Sequence, residues 1–255
     1  LNRMRRANRG RVRTDDGFIR YRVRGCRMSG DMDTALGNCL LMCGMTWSFM
    51  RSIRITKYSY ANDGDDGVLI VEEGDLEVVL EKFPSYFRKL GFTMKLEGIA
   101  RTLEEVEFCQ ARPVFDGSKW RMVRDPRVCV GKDTRTLKRI LPGRGVDYYR
   151  SAIGWCGAAL AGDMPIFCAL YELMVRGTKA PSDLPLETGM QYLARGLQPR
   201  FSEPTAESRA SFYFAYGLSP EEQRAIEASI RSERTNDCTP VPVANQQIIS
   251  TLTIL

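Results

Sequence analysis

The sequence predicts an α+β fold: a first half of hairpins and helices, then a mainly helical second half. Three observations carry the prediction. Up to about residue 131, alternating β-branched and aromatic stretches come in pairs joined by Gly- and Asp-rich turns. Between these pairs, apolar residues recur at three- and four-residue steps. From about residue 132 the strand signals fade and helical patterns take over.

The elements follow in order. "GFIRYRVRGCR" (17–27) alternates around Ile19, Tyr21 and Val23 and reads as a strand or hairpin arm. A helix is predicted from about Asp33 to Ser52, with Leu36, Leu40, Cys43 and Trp47 as its buried stripe. "ITKYSYA" and "GVLIVE" read as the two arms of a hairpin turning through "NDGDDG". Asp75 fits an N-cap. Leu76, Val79, Leu80, Phe83, Phe87 and Leu90 form a helical stripe closed by Gly91, with Pro84 marking a kink. "FTMKLE" reads as a short strand, and "VEFCQARPVFDGSKWRMVRDP" as another hairpin turning at Asp116-Gly117. Helices are expected near 133–140, 146–160, 165–176 and 220–233. The last has Ser219, Pro220 and Glu222 in a capping-box pattern. The tail from about 236 has no clear helical pattern.

Composition narrows the function classes. The 255 residues allow one large domain or two modest ones, and 44% hydrophobic with 27% charged residues suits a folded chain. The net charge of +6 favours a polyanion partner over an acidic one. Six Arg fall within the first thirteen residues, and five more basic side chains lie between 132 and 144. Either run suits phosphate contact or a solvated surface. Eight Cys at irregular spacing and no His argue against a zinc site and for a reducing compartment. The apolar stretch "SAIGWCGAALAGDMPIFCALYELMV" is broken by Gly162-Asp163 and Pro165. It reads as two packed helices rather than a membrane span. A chain opening on Leu and an Arg-rich run is expected to be part of a longer polypeptide.

The loop "NDGDDG" (62–67) crowds Asp63, Asp65 and Asp66 together, and like charges repel. It admits three readings. One is a solvated turn, since Gly-Asp-Asp alone carries little information. Another is a calcium loop with Asn62 first, Asp66 fifth, Gly67 sixth and Glu73 twelfth. That reading lacks an acid at its third position, Gly64, and lacks flanking helices. The third is a divalent-metal site of the phosphoryl-transfer type, which needs a further carboxylate from another strand.

Upstream, "RMSGDMDTALGNCLLMC" (27–43) places Ser29-Gly30 before a helix with Thr34 and Asn38 at i and i+4. At about 100° per residue these two lie within roughly 40° of each other, opposite the leucine stripe. "SGDMDTALGN" followed by "NDGDD" resembles motifs B and C of viral RNA-dependent RNA polymerases, tombusviruses and their carmovirus- and luteovirus-like relatives above all. "GFTMKLE" and "VEFCQARPVFDGSKW" are similar to segments of the same group in the same order, and the likeness covers about residues 16–177.

The resemblance implies a right-hand polymerase palm, a partial antiparallel sheet with flanking helices, over 1–131. A mainly helical thumb with an irregular C-terminal tail would follow over 132–255. It makes Asp65 the principal metal ligand with Asp66 beside it, for Mg2+ with Mn2+ as the substitute ion. Ser29, Thr34 and Asn38 would sense the ribose 2′-hydroxyl of an incoming nucleoside triphosphate, with Gly30 as the flexible point of the loop. Lys95 would protonate the pyrophosphate leaving group; its other reading is an exposed strand lysine. "EFCQARPV" would grip the primer end. Arg112, Lys132, Arg135, Lys138 and Arg139 would contact phosphates of template and product RNA.

The sequence also departs from the family pattern. Asp33 stands where many relatives have Asn, and Gly67 where many have Cys. No D-x-x-x-x-D stands before Ser29, and Asp15-Asp16 is a poor substitute. The expectation is therefore a polymerase fragment lacking the upstream fingers and motif A, inactive by itself, from a replicase at membrane-bound complexes in the host cytoplasm. The membrane anchor is not expected in this chain. The non-enzymatic alternative is an RNA-binding fragment with a vestigial Asp pair.

Overall fold

The structure, a computed structural model, describes residues 7–25, 30–135, 144–178 and 189–233. It divides into two compact units, Leu1–Gly98 and Ile99–Leu255. Among the described residues, helices alternate with three separate two-stranded antiparallel ribbons, so the α+β expectation holds.

In the first unit, β1 (Ala7–Thr14) and β2 (Gly17–Arg24) form a hairpin in the register Thr14↔Gly17, with Asp15 and Asp16 in the turn. α1 spans Thr34–Ser52, followed by β3 (Tyr58–Asp63), β4 (Asp66–Val71) and α2 (Leu76–Lys89). Met42, Met45, Phe49 and Met50 of α1 share a core with Val79, Phe83 and Phe87 of α2. Tyr58, Tyr60, Leu69 and Val71 of the β3–β4 hairpin pack against it. Phe49 meets Phe83 edge to face, 5.2 Å between centroids, a geometry the ring quadrupoles favour. α2 continues through Pro84.

Two expectations for this unit are corrected. The buried face of α1 is not the leucine stripe: Leu36 is 67% exposed, Leu40 63% and Trp47 53%, and Cys43 is exposed too. Apolar residues occupy both sides of this helix. The side carrying Met42, Met45 and Phe49 is buried because α2 and the hairpin lie against it. In addition, "FTMKLE" forms no strand. A strand needs a pairing partner, and β3 and β4 pair only with each other.

In the second unit, β5 (Ala111–Phe115) and β6 (Trp120–Arg124) form the hairpin expected around Asp116-Gly117. Among the described residues six helices follow: α3 (Pro126–Asp133), α4 (Arg144–Ala161), α5 (Phe167–Val175), α6 (Gly189–Ala194), α7 (Ala206–Tyr216) and α8 (Pro220–Ser232). The apolar stretch is indeed two helices, α4 and α5, which share a core with Val114, Val123, Phe212 and Tyr216. The capping box of α8 is formed, with Ser219 N donating to Glu222 at 2.7 Å and Glu222 N donating to Ser219 Oγ at 3.3 Å. Most of the helix expected near 133–140 falls on 136–140, outside the described residues; α3 lies just before it and ends at Asp133. α6 and α7 carried no expectation. No helix among the described residues is long and apolar enough to cross a membrane.

Candidate functional site

The acidic loop is the tip of the β3–β4 hairpin. Asn62 pairs with Gly67 and Asp63 with Asp66, leaving Gly64 and Asp65 as a two-residue turn. Gly64 has φ +75°, the left-handed conformation this turn needs at its first central position and one that costs side-chain-bearing residues. The flanking segments are strands, which overturns the calcium-loop reading. Asp65 sits in the turn, so strand alternation does not set its direction. Asp63 and Asp66 are cross-strand partners and share a face, which places like charges opposite each other at an energetic cost. All three side chains are exposed, and neither Asp65 nor Asp66 is in a salt bridge among the described residues.

The tip is seated on α1. Asn62 Nδ2 donates to the Cys39 carbonyl at 3.1 Å, and Gly64 N donates to Cys39 Sγ at 3.2 Å. The Cys43 thiol lies 3.8 Å from Asn62 Oδ1. A Cβ on Gly64 would stand 3.7 Å from Asn38 Cβ. Thus Asn38 is brought beside the acidic turn. Thr34 lies one helical turn before it, half-buried like Asn38. On the helical wheel both share the side of Met42, Met45 and Phe49, so one face of α1 is core near its C-terminus and lines the acidic tip near its N-terminus. The supporting roles of Asn62, Cys39 and Cys43 escaped the sequence reading, which took Asn62 for a loop ligand and Cys43 for part of the buried stripe. Their signal was thin: an amide just before the turn, and two thiols at i, i+4 beside Asn38.

Other predicted residues are placed as follows. Gly30 is exposed with φ +95°. Ser29, Lys138 and Arg139 lie outside the described residues. Lys95, exposed on the irregular segment 92–100, ion-pairs with Glu97 at 2.9 Å. In the second unit Arg112 donates to the Ala215 carbonyl at 2.7 Å and to Glu107 at 3.2 Å. Arg112, Arg124, Gln110 and the exposed Lys132 help line a surface cavity of about 220 Å³. Arg135 follows α3 and is half-buried. Arg124 is committed to structure: it forks onto Asp133 at 3.1 and 2.7 Å, and Tyr171 donates to the same carboxylate at 2.7 Å.

The donors at the hairpin tip are carboxylate oxygens, the chemistry hard divalent cations take. They do not form a closed ligand set. Among the described residues, the one trio of acid or thiol ligand atoms within 4.8 Å of one another is Cys168, Glu203 and Glu227, in the second unit. That trio is already neutralised. Arg209 binds Glu227 through two 2.9 Å bonds, Arg231 binds Glu203 at 2.5 Å, and burial pushes the Cys168 thiol up to about 12. The acidic tip offers exposed carboxylates but no trio of ligand atoms within 4.8 Å of one another; an ion held by Asp65 and Asp66 would need further ligands.

Residues 3–236 match the family described as viral RNA dependent RNA polymerase. The chain is 38% identical over 250 residues to the RNA-directed RNA polymerase of Melon necrotic spot virus, covering 94% of this chain and 31% of that protein. It is 36% identical over 245 residues to that of Tobacco necrosis virus (strain A), covering 94% and 34%. With that of Tomato bushy stunt virus (strain Cherry) the identity is 40% over 221 residues, covering 86% and 27%. The chain thus spans about a third of the length of these relatives.

Proposed function

Because the chain belongs to the viral RNA-dependent RNA polymerase family, we propose that it carries one side of a nucleotidyl-transfer site. The reaction is template-directed transfer of nucleotides from nucleoside triphosphates to an RNA 3′ end. Asp65 is the principal ligand and Asp66 its neighbour, for Mg2+ with Mn2+ as substitute. When bound, such ions activate the attacking oxygen and stabilise the leaving one. The observation that carries this reading is the seating of the acidic turn beside Asn38. An exposed carboxylate cluster is held, at electrostatic cost, against a polar helix face. Thr34 and Asn38, with Ser29, supply the hydroxyl and amide groups that can tell ribose from deoxyribose. Gly30 gives their loop its left-handed turn. Lys95 is the proton donor to pyrophosphate, and Arg112, Lys132, Arg135, Lys138 and Arg139 contact RNA phosphates.

We assign residues 1–131 to a palm and 132–255 to a thumb. The β5–β6 hairpin, which packs with the helices of the second unit, is the element joining them. A further carboxylate, outside Asp63–Asp66, completes the ligand set. The active assembly works at membrane-bound replication complexes in the host cytoplasm. The test uses a polymerase of the relatives' full length that contains this segment. Asp65→Ala should abolish primer or template-directed synthesis while leaving RNA affinity within about twofold. Near-normal synthesis would refute the ligand role. The 255-residue chain alone should give no extension product, and clear product would show that its ligand set is complete.

A further inference from the structure

The β1–β2 hairpin is two-faced. Strand alternation puts Arg9, Arg11 and Arg13 on one face of β1, and the register puts Arg20, Arg22 and Arg24 of β2 on the same face. Val12, Ile19, Tyr21 and Val23 occupy the other face, all exposed. Gly10 marks the division: a Cβ there would lie 2.0 Å from the Tyr21 ring, so the missing side chain lets the tyrosine lie flat across its partner strand.

Arg9 is the direct cross-strand partner of Arg22, and Arg11 of Arg20. Like charges directly opposite destabilise a sheet. Arg9, Arg11, Arg13, Arg20 and Arg22 form no salt bridge with an acid among the described residues, and the hairpin's own acids, Asp15 and Asp16, sit in the turn. The Arg11 guanidinium lies over the Phe18 ring, 3.4 Å from its centroid, a contact that leaves the N–H donors at its edge available. The result is two adjacent rows of guanidinium groups, repeating about every 7 Å along each strand.

We propose that this arginine face is an RNA-backbone contact, separate from the acidic tip and from the basic residues of the second unit. Arginine's planar fork binds phosphate oxygens in pairs, and a linear ladder of such forks matches a linear polyanion. Bound phosphates also relieve the opposed Arg9–Arg22 and Arg11–Arg20 pairs. That the polyanion is RNA rests on the polymerase reading; that it is a phosphate chain rests on the ribbon.

Binding of the 255-residue chain to a fluorescein-labelled single-stranded RNA, read by anisotropy across a salt series, tests this without any catalysis. The variant R9Q/R11Q/R20Q/R22Q should flatten the slope of log K against log salt by about three, from roughly 0.7 per phosphate contact over four sites. Should that variant lose its fold by circular dichroism, R9Q/R22Q should give about half the change. Lysine at the same four positions keeps the charge and should keep the slope. V12T/I19T, on the opposite face, should bind as the unaltered chain does. An unchanged slope and affinity in the folded Gln variants overturns the proposal. So does equal loss in V12T/I19T, absence of RNA binding by the unaltered chain, or tighter binding to phosphatidylserine vesicles than to RNA. Asp65→Ala should leave this binding intact, so a failed metal site and a failed RNA face give different results.

Discussion

Gly64 turns the acidic loop and is the residue whose backbone geometry matters most at the site. With φ at +75°, Gly64→Ala should destabilise the first unit by about 1–2 kcal/mol, measured by urea unfolding, chiefly through left-handed strain. In the second unit Glu227 accepts both Arg209 bonds and one from Ile166 N, all at 2.9 Å and all buried. Glu227→Ala strands a buried guanidinium and should cost about 3–5 kcal/mol. For Asp116 a pH effect of definite sign is expected. Burial opposes its charge, but bonds from Ser118 and Lys119 outweigh that and hold its carboxyl below the usual value. Its contribution is present above the unfolded carboxylate value and lost as pH falls through the folded one. Relative to Asp116→Asn, the unaltered chain should therefore lose thermal stability below about pH 4.

Among the elements, α1 is the sharpest test of how burial is assigned. Phe49→Ala should cost about 3–5 kcal/mol, whereas Leu40→Gln should stay within about 0.5 kcal/mol. A large loss at Leu40 would restore the leucine stripe as the buried face. The β3–β4 and β5–β6 hairpins and the α8 cap were legible because their signals are local, whereas β1, the partner of β2, carried no strand expectation. "NDGDDG" and "FDGSK" demand turns, and Ser219-Pro220-x-Glu222 satisfies a helix start within four residues. α7 was not legible, because half of its buried face is polar. Ser208, Arg209 and Ser211 are buried there beside Phe212, Ala215 and Tyr216. Ser208 bonds to the helix's own N-cap, Thr205, while the partners of Arg209 and Ser211, Glu227 and Glu104, are supplied by other segments. An apolar period cannot reveal a face that is satisfied by hydrogen bonds. Lys95 was misplaced on a strand for a related reason: strand formation depends on a partner that local propensity does not specify.

At the scale of the whole chain, the net charge of +6 pointed to a polyanion but not to a surface. Pairing in β1–β2 turns scattered arginines into one face, while Arg124 and Arg209, equally basic on paper, are spent on Asp133 and Glu227. The order and spacing of Ser29, Thr34, Asn38 and the acidic turn indicated the family by their resemblance to its motifs, and the match over residues 3–236 bears that out. What the sequence determined by itself was thus local or ordinal: turns, caps, periodic helices and motif order. What only the tertiary structure decided was which surface meets which. It put the methionine face of α1 in the core, seated the acidic turn on Cys39, and gathered six arginines onto one side of a ribbon. Those outcomes depend on contacts between residues far apart in the chain, and no local pattern encodes them.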